Sequence, residues 1–226
     1  MNEEAFESLI TNYLTDTHGY DLGQSSDYDK TYGLDLARME AFLRATQAEL
    51  VAASRIFDSL PNRRKFFERV REEVTKRGVV DVLRKGIKHQ SNTFALYMPL
   101  PSELSELGQA RYEQNRFTVI RQVHYSEARP MQSVDIVLFI NGLPILTMEL
   151  KFTGQSTAHA VAQYRSDRDA RELLFMPGRC VVHFALDEET IEMCTKLAGR
   201  DSWFLPFNKG NEHSAGNPIN PNGPRT

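Results

Sequence analysis

The chain has 226 residues, 41% of them hydrophobic and 25% charged, and a formal net charge of −3. This composition fits one sizeable globular domain with an apolar core and excludes a disordered or fibrous chain. The slightly acidic balance also excludes a surface coated in positive charge. Any contact with nucleic acid therefore requires a local patch.

Cys180 and Cys194 lack the spacing of a zinc site or of a disulfide scaffold, which favours a reducing compartment. The start of the chain, MNEEAFESLI, is acidic where a signal peptide would be basic. No apolar run approaches the roughly 18 residues that span a bilayer. We therefore expect a cytoplasmic protein that does not enter a membrane.

The first third of the chain predicts helices, because its apolar residues recur at i, i+3 and i+4 spacing and each run stops near a glycine. The predicted helices cover residues 3–17, 34–48, 62–77 and 79–85.

Residues 61–90 contain ten Lys/Arg and four Asp/Glu, a local charge of +6. An amphipathic helix with a solvated basic face explains this charge better than a DNA-binding surface does.

Later segments are rich in β-branched and aromatic residues between turn signals, which predicts strands. The predicted strands are 93–100, 117–126, 134–140, 144–151 and 180–186, with a helix over 157–174. Strands that follow helices and enclose one more helix indicate a mixed α/β architecture. Residues 208–226 are rich in Asn, Gly and Pro and resemble a linker.

The dipeptide Asn141-Gly142 lies between two apolar runs and predicts a hairpin, because tight turns require the positive φ that glycine tolerates. One face of this hairpin is almost wholly apolar. The other face ends in Asp135, Glu149 and Lys151. Three ionisable groups at the end of a buried face need an explanation.

Two carboxylates on neighbouring strands can share Mg²⁺, which prefers oxygen ligands and keeps several waters. Lys151 points to the same face and can position an attacking water or neutralise charge that develops on a phosphodiester. Asp135, Glu149 and Lys151 thus form a candidate nuclease core. The alternative is a buried ion-pair cluster, and the spacing does not decide between the two.

Strand register constrains this hypothesis. A two-residue Asn-Gly loop would place Asp135 and Glu149 on opposite faces of the sheet, where they could not share a metal. We therefore expect a three-residue loop over 140–142 with a bulge at Gly142, or an equivalent kink. In that register Asp135 faces Thr147 and lies diagonal to Glu149.

The D…ExK pattern resembles the signature of the PD-(D/E)xK nuclease superfamily. More of the chain resembles the N-terminal region of the R (restriction) subunit of type I restriction-modification enzymes, in the segments FESLI, SSDYDK, FLRATQ, NRFTVIRQVHYS, AVAQYRSDRD and KLAGRDSWFLPFNKGN. The resemblance implies a restriction-endonuclease-like α/β fold, with a central mixed sheet flanked by helices and a mainly helical N-terminal third. It also implies Mg²⁺-dependent cleavage of double-stranded DNA.

By the same resemblance, Asp135 and Glu149 match the metal-binding acids and Lys151 matches the catalytic lysine. Glu7, on the first helix, matches in type an acid that such nucleases often supply to the metal. A surface helix glutamate is its alternative role.

Tyr164 resembles the tyrosine of a QxxxY element, but Ala160 stands where the glutamine would be, so Gln163 is the substitute candidate. Tyr164 and Arg168 are four residues apart and are expected to share a helix face that contacts the site or the DNA backbone. The alternatives are core packing for Tyr164 and a surface salt bridge for Arg168.

In enzymes of this kind the R subunit continues into an ATP-driven motor, and modification and specificity subunits recognise the DNA sequence. We interpret residues 1–207 as a nuclease domain, made of helices over 1–88 and a catalytic sheet over 91–207. Residues 208–226 would lead toward the motor, through which alone ATP would act. A stand-alone repair nuclease and a docking module that does not cut remain the alternatives.

Overall fold

A computed structural model describes residues 2–101, 105–152 and 154–207, and this part of the chain holds seven α-helices. Their ends follow local chemistry: the Asn2 side chain accepts a hydrogen bond from the Ala5 backbone and begins the first helix, which ends at a left-handed Gly19. The helices are α1 (Glu3–His18), α2 (Leu36–Thr46), α3 (Ala48–Ser54), α4 (Leu60–Arg77), α5 (Val79–Lys85), α6 (Glu106–Tyr112) and α7 (Thr157–Ser166). None of them is both long and apolar enough to cross a lipid bilayer.

The prediction of a mainly helical N-terminal third is confirmed, but one predicted helix is divided into two. The helix predicted over 34–48 is interrupted at Gln47, which separates α2 from α3. The Gln47 side-chain amide exchanges two hydrogen bonds of 2.9 Å with the backbone of Ala95. This tertiary contact competes with helix continuation, and the local apolar spacing carries no sign of it.

Ion pairs hold three arginines of the basic helix α4 within the protein. The pairs are Arg63 with Glu40, Arg69 with Glu73, and Arg77 with Glu73 and Asp81. Carboxylates of α2, α4 and α5 thus partly neutralise the local positive charge. This arrangement supports the interpretation of a solvated amphipathic helix.

The central sheet contains seven strands in the described part of the chain. In spatial order they are β1 (Asp21–Gly23), β6 (Phe117–His124), β7 (Ser133–Ile140), β8 (Leu143–Leu150), β9 (Val182–Leu186), β10 (Ile191–Cys194) and β11 (Leu205–Pro206). The β1–β6 and β8–β9 pairs are parallel and the others are antiparallel, so the sheet is mixed, as predicted. Two small hairpins lie outside it, β2 (Tyr28–Asp29) with β3 (Leu34–Asp35) and β4 (Ile87–His89) with β5 (Asn92–Phe94).

Some strand predictions are wrong. The strand expected over 93–100 is reduced to β5, because the backbone of Ala95 and Met98 bonds to the side chains of Gln47 and Asn115 instead of to a neighbouring strand. The short strands β10 and β11 were not predicted. The strand β1 belongs to the central sheet although it lies within the helical third of the chain. The helices over 1–88 and the sheet over 91–207 are therefore not separate parts of the fold.

The helix expected over 157–174 ends at Ser166, because the chain then turns inward. The Arg168 backbone N–H donates to the Gln163 carbonyl at 3.1 Å, and Leu174 and Phe175 become fully buried. A continuous helix could not place these side chains in the core while holding Arg168 beside the sheet.

Helices cover both faces of the sheet. On one face, Phe6 and Ile10 of α1 pack against a cluster that includes Ile136 of β7. On the other face, Ala160 and Tyr164 of α7 pack in a cluster with Val137 and Phe139. The N-terminal helices α2 to α5 surround a further core, which the hairpin turn reaches through Leu143 of β8.

Candidate active site

The β7–β8 hairpin turns through two residues, not three. Asn141 and Gly142 both have positive φ, 51° and 82°, and Ile140 pairs with Leu143. The expected loop over 140–142 is therefore wrong. Asn141 adopts the left-handed conformation that this turn requires, which asparagine tolerates better than most residues, and its side chain is held by hydrogen bonds to Leu96, Asn115 and Arg116.

The register nevertheless shifts within the strands. Phe139 pairs with Pro144, whereas Leu138 pairs with Leu146, so β8 carries one extra residue at Ile145. This bulge is a kink of the kind that the register argument predicted.

The acids end on the same face because of that shift. Thr147 pairs with Val137, not with Asp135 as expected, and Met148 pairs with Ile136. The register, continued by one residue, sets Asp135 opposite Glu149. The acids are thus direct cross-strand neighbours rather than diagonal ones.

Glu149 is fully buried, and only one of its two carboxylate oxygens accepts a hydrogen bond from a described residue. The oxygen without a partner is called the open oxygen. Arg168 Nε donates to Oε1 at 2.6 Å, while Oε2 is buried without a hydrogen-bond partner among the described residues. Burial raises the pKa of Glu149 to about 8, since it outweighs the hydrogen bond from Arg168, and the negative charge of Asp135 adds to the rise. Burial alone would lower the pKa of Arg168, yet the hydrogen bond to Glu149 raises it above its usual value.

Asp135 is held by the strand beside it. Its Oδ2 accepts from the Leu150 backbone N–H at 2.7 Å, and its Oδ1 accepts from Gln122 Nε2 at 3.2 Å. Burial raises the pKa of Asp135 although the Leu150 hydrogen bond and the charge of Lys151 oppose the shift. Both acids of the predicted pair therefore lie where a negative charge lacks solvation.

Helix α1 contributes two further carboxylates, one helical turn apart. Glu7 is 3% exposed and accepts from Arg121 Nε at 3.1 Å and Gln122 Nε2 at 2.5 Å. Burial raises the pKa of Glu7, and the charge of Asp135 adds to the rise. Glu3 accepts from Lys151 Nζ at 3.2 Å, and Lys151 is 6% exposed.

The surface role considered for Glu7 does not fit this burial. Sequence reasoning missed Glu3, Arg121 and Gln122 as neighbours of the site. The spacing of Glu3 and Glu7, four residues apart on a helix, was a usable signal for Glu3.

The α7 residues divide between core and site. Tyr164 is fully buried, and its hydroxyl lies 2.7 Å from Thr147 Oγ1, which also lies 2.8 Å from His183 Nδ1. Gln163 Oε1 is buried without a hydrogen-bond partner in the described part of the chain. Arg168 lies beyond the end of α7, so the prediction that it shares a helix face with Tyr164 is wrong. The alternative of a surface salt bridge is also wrong, because the ion pair of Arg168 with Glu149 is buried.

The donor types fit a hard divalent cation. Asp135, Glu149 and Glu7 offer carboxylate oxygens, and Glu149 Oε2 is an open buried acceptor that a cation would satisfy. Within residues 2–101, 105–152 and 154–207, no three His, Cys, Asp or Glu side chains already form a metal-binding group. Waters and a substrate phosphate would complete the coordination, as Mg²⁺ commonly requires.

The mixed sheet, the helices on both faces and the D…ExK residues at one sheet end define a restriction-endonuclease-like α/β fold. A family model of the type I restriction enzyme R protein N terminus matches residues 1–202, and the chain belongs to that family. No curated protein matches the chain.

Proposed function

We propose that this chain carries the Mg²⁺-dependent endonuclease of a type I restriction enzyme R subunit and hydrolyses phosphodiester bonds of double-stranded DNA. The observation that supports this most is the bulge at Ile145, which sets Asp135 opposite Glu149 with the open Oε2 at that sheet end. A hairpin without the bulge would separate the two acids onto opposite faces. Family membership favours the same function.

Asp135, Glu149 and Glu7 would hold the Mg²⁺. When bound, Mg²⁺ stabilises charge on a phosphodiester and lowers the pKa of a coordinated water. The raised pKa values of all three carboxyls indicate that a cation here would relieve an unfavourable burial of charge.

Lys151 supplies the cationic group at the reacting phosphate. Its ammonium has three N–H donors, of which Glu3 accepts one. The others can orient the attacking water or a phosphate oxygen. Arg168 holds Glu149 Oε1 and so fixes the direction of the open Oε2.

Sequence recognition belongs, in this proposal, to modification and specificity subunits, and ATP acts through a motor domain of the R subunit. The acidic balance of the chain, −3 overall, is consistent with partners that bring DNA to the site. Family membership supports these roles.

The test uses the complete restriction complex with ATP, Mg²⁺ and double-stranded DNA that carries its target. Asp135→Asn, Glu149→Gln and Lys151→Met should each lower the cleavage rate by about 100-fold or more, since each removes a group that acts on developing charge. Glu4→Gln is the matched control, because Glu4 is exposed on the same helix as Glu7.

ATP hydrolysis should persist in every variant, which shows that the complex has assembled. Cleavage at the unmodified rate by all three variants would contradict the proposed chemistry. It would favour the buried ion-pair cluster, in which Arg168 and Lys151 only neutralise Glu149 and Glu3.

A further inference from the structure

Gln122 has a backbone conformation that is rare for its residue type. It lies inside β6 with φ at 48°, while Arg121 and Val123 keep regular pairs with Ile136 and Val134 of β7. Residues other than glycine seldom adopt positive φ, and such positions concentrate where function demands a particular side-chain placement. The register places Gln122 opposite Asp135.

Two serines hold this conformation. Ser25 Oγ donates to the Gln122 carbonyl at 2.7 Å and accepts from the His124 backbone N–H at 2.9 Å. Ser133 Oγ donates to the Gln122 side-chain oxygen at 2.7 Å. The carbonyl and the amide oxygen are thus bonded, and the amide nitrogen is directed away from Ser133.

The amide nitrogen joins two carboxylates from different elements. Gln122 Nε2 donates to Glu7 Oε1 at 2.5 Å and to Asp135 Oδ1 at 3.2 Å, which uses both of its N–H groups. Arg121 Nε donates to the other Glu7 oxygen at 3.1 Å. Consecutive strand residues normally point to opposite faces, and the positive φ of Gln122 lets both side chains reach Glu7.

We propose that Gln122 is a positioning residue that holds Glu7 of α1 beside Asp135 of β7, so that both carboxylates face one Mg²⁺. Without the amide, two buried like charges would adjoin with no donor between them, and the geometry that accepts the cation would be lost. This inference rests on the proposed metal site. It adds the means by which the helix acid is joined to the strand acid.

The test measures Mg²⁺ binding to this chain by calorimetric titration, with Gln122→Gly as the main variant. Glycine adopts positive φ freely, so the variant keeps the backbone conformation and deletes the side chain with its amide. We expect Mg²⁺ affinity to fall by about 10- to 100-fold, in line with other residues that orient metal ligands. Gln122→Met should weaken Mg²⁺ binding to a similar degree, because it also removes the donors to Glu7 and Asp135. The unfolding temperature of each variant without Mg²⁺ measures the accompanying cost in stability.

A double-substitution cycle separates positioning from a general structural effect. In a Glu7→Ala background, Gln122→Gly should weaken Mg²⁺ binding by a smaller factor than in the unmodified chain, because one of the two acceptors of the Gln122 amide is gone. Equal factors in both backgrounds would overturn the positioning role.

Asp135→Asn is the reference for the site itself. If Asp135→Asn weakens Mg²⁺ binding while Gln122→Gly leaves it unchanged, the positioning role alone is overturned. If Asp135→Asn leaves binding unchanged, the metal site fails, and the positioning role with it.

Discussion

The two ends of the β7–β8 hairpin both bury polar side chains, but the end that carries the acids leaves one buried oxygen unbonded within the described residues. At the turn, Asn141 is 1% exposed and bonds to the Arg116 N–H, the Asn115 side chain and the Leu96 carbonyl. At the other end, Glu149 Oε2 has no hydrogen-bond partner within the described residues. Buried polar atoms that are fully bonded stabilise a fold, whereas an open one costs stability and is available to a ligand.

The turn also anchors the hairpin to the N-terminal helices. Gly142 O accepts from the Asp35 N–H at 2.9 Å, and a Cβ added at Gly142 would lie 2.2 Å from Asp35 O. Glycine is therefore needed here for close approach as well as for its positive φ. The rigid turn fixes the strands whose opposite ends carry Asp135 and Glu149.

The largest expected effect concerns the pH dependence at the acid end. Burial raises the pKa of Glu149 from 4.5 to about 8, so between these values the folded protein keeps a proton that the unfolded chain has released. Raising the pH across this window should therefore lower the free energy of unfolding. Within this window Glu149 should contribute on the order of 1 kcal/mol per pH unit.

Denaturant unfolding at pH 5 to 8 tests this, with Glu149→Gln as the comparison. The variant should lose that part of the slope, because glutamine does not titrate. Identical slopes for both proteins would mean that Glu149 is charged in the folded state, and the contrast between the two hairpin ends would be weaker than we infer.

An intermediate effect is expected at the turn. Asn141→Ala should lower the free energy of unfolding by about 3 kcal/mol, because it leaves the Arg116 N–H and the Leu96 carbonyl without partners. Asn141→Gly, which restores an easy positive φ, should recover only the smaller backbone part of the loss. Denaturant unfolding gives both values.

Cleavage per folded complex should be unchanged in the Asn141 variants, since the turn lies at the opposite end of the strands from the acids. A loss of cleavage without a loss of stability would show that the two ends are not separate in function.

The smallest effect is expected for Tyr164, which lies between the core and the site. Tyr164→Phe removes the 2.7 Å hydrogen bond to Thr147 and should cost about 1 kcal/mol of unfolding free energy, measured against Tyr13→Phe at an exposed position. Cleavage should persist, because the hydroxyl binds Thr147 rather than one of the acids proposed to hold Mg²⁺. Slower cleavage at unchanged stability would instead assign Tyr164 to the active site.

Local chemistry accounts for much of what could be predicted. Apolar spacing and capping residues defined α1, α4 and α5 closely, and β-branched runs defined β6, β7 and β8. The short strands β10 and β11 and the early end of α7 escaped prediction, because tertiary packing and not local propensity decides them.

For the site, the sequence by itself determined which residue types were present and that Asp135, Glu149 and Lys151 would end one hairpin. The alternation of side chains along the two strands showed that a kink was needed to bring Asp135 and Glu149 to one face of the sheet. Only the tertiary structure decided where the kink lies, because hydrogen bonds from Asn141 to residues 26 and 45 positions away hold the two-residue turn, and the extra residue lies at Ile145 instead. It also decided that α1 and Gln122 complete the acid cluster, because contacts between residues more than 100 positions apart leave no periodic signal in the chain.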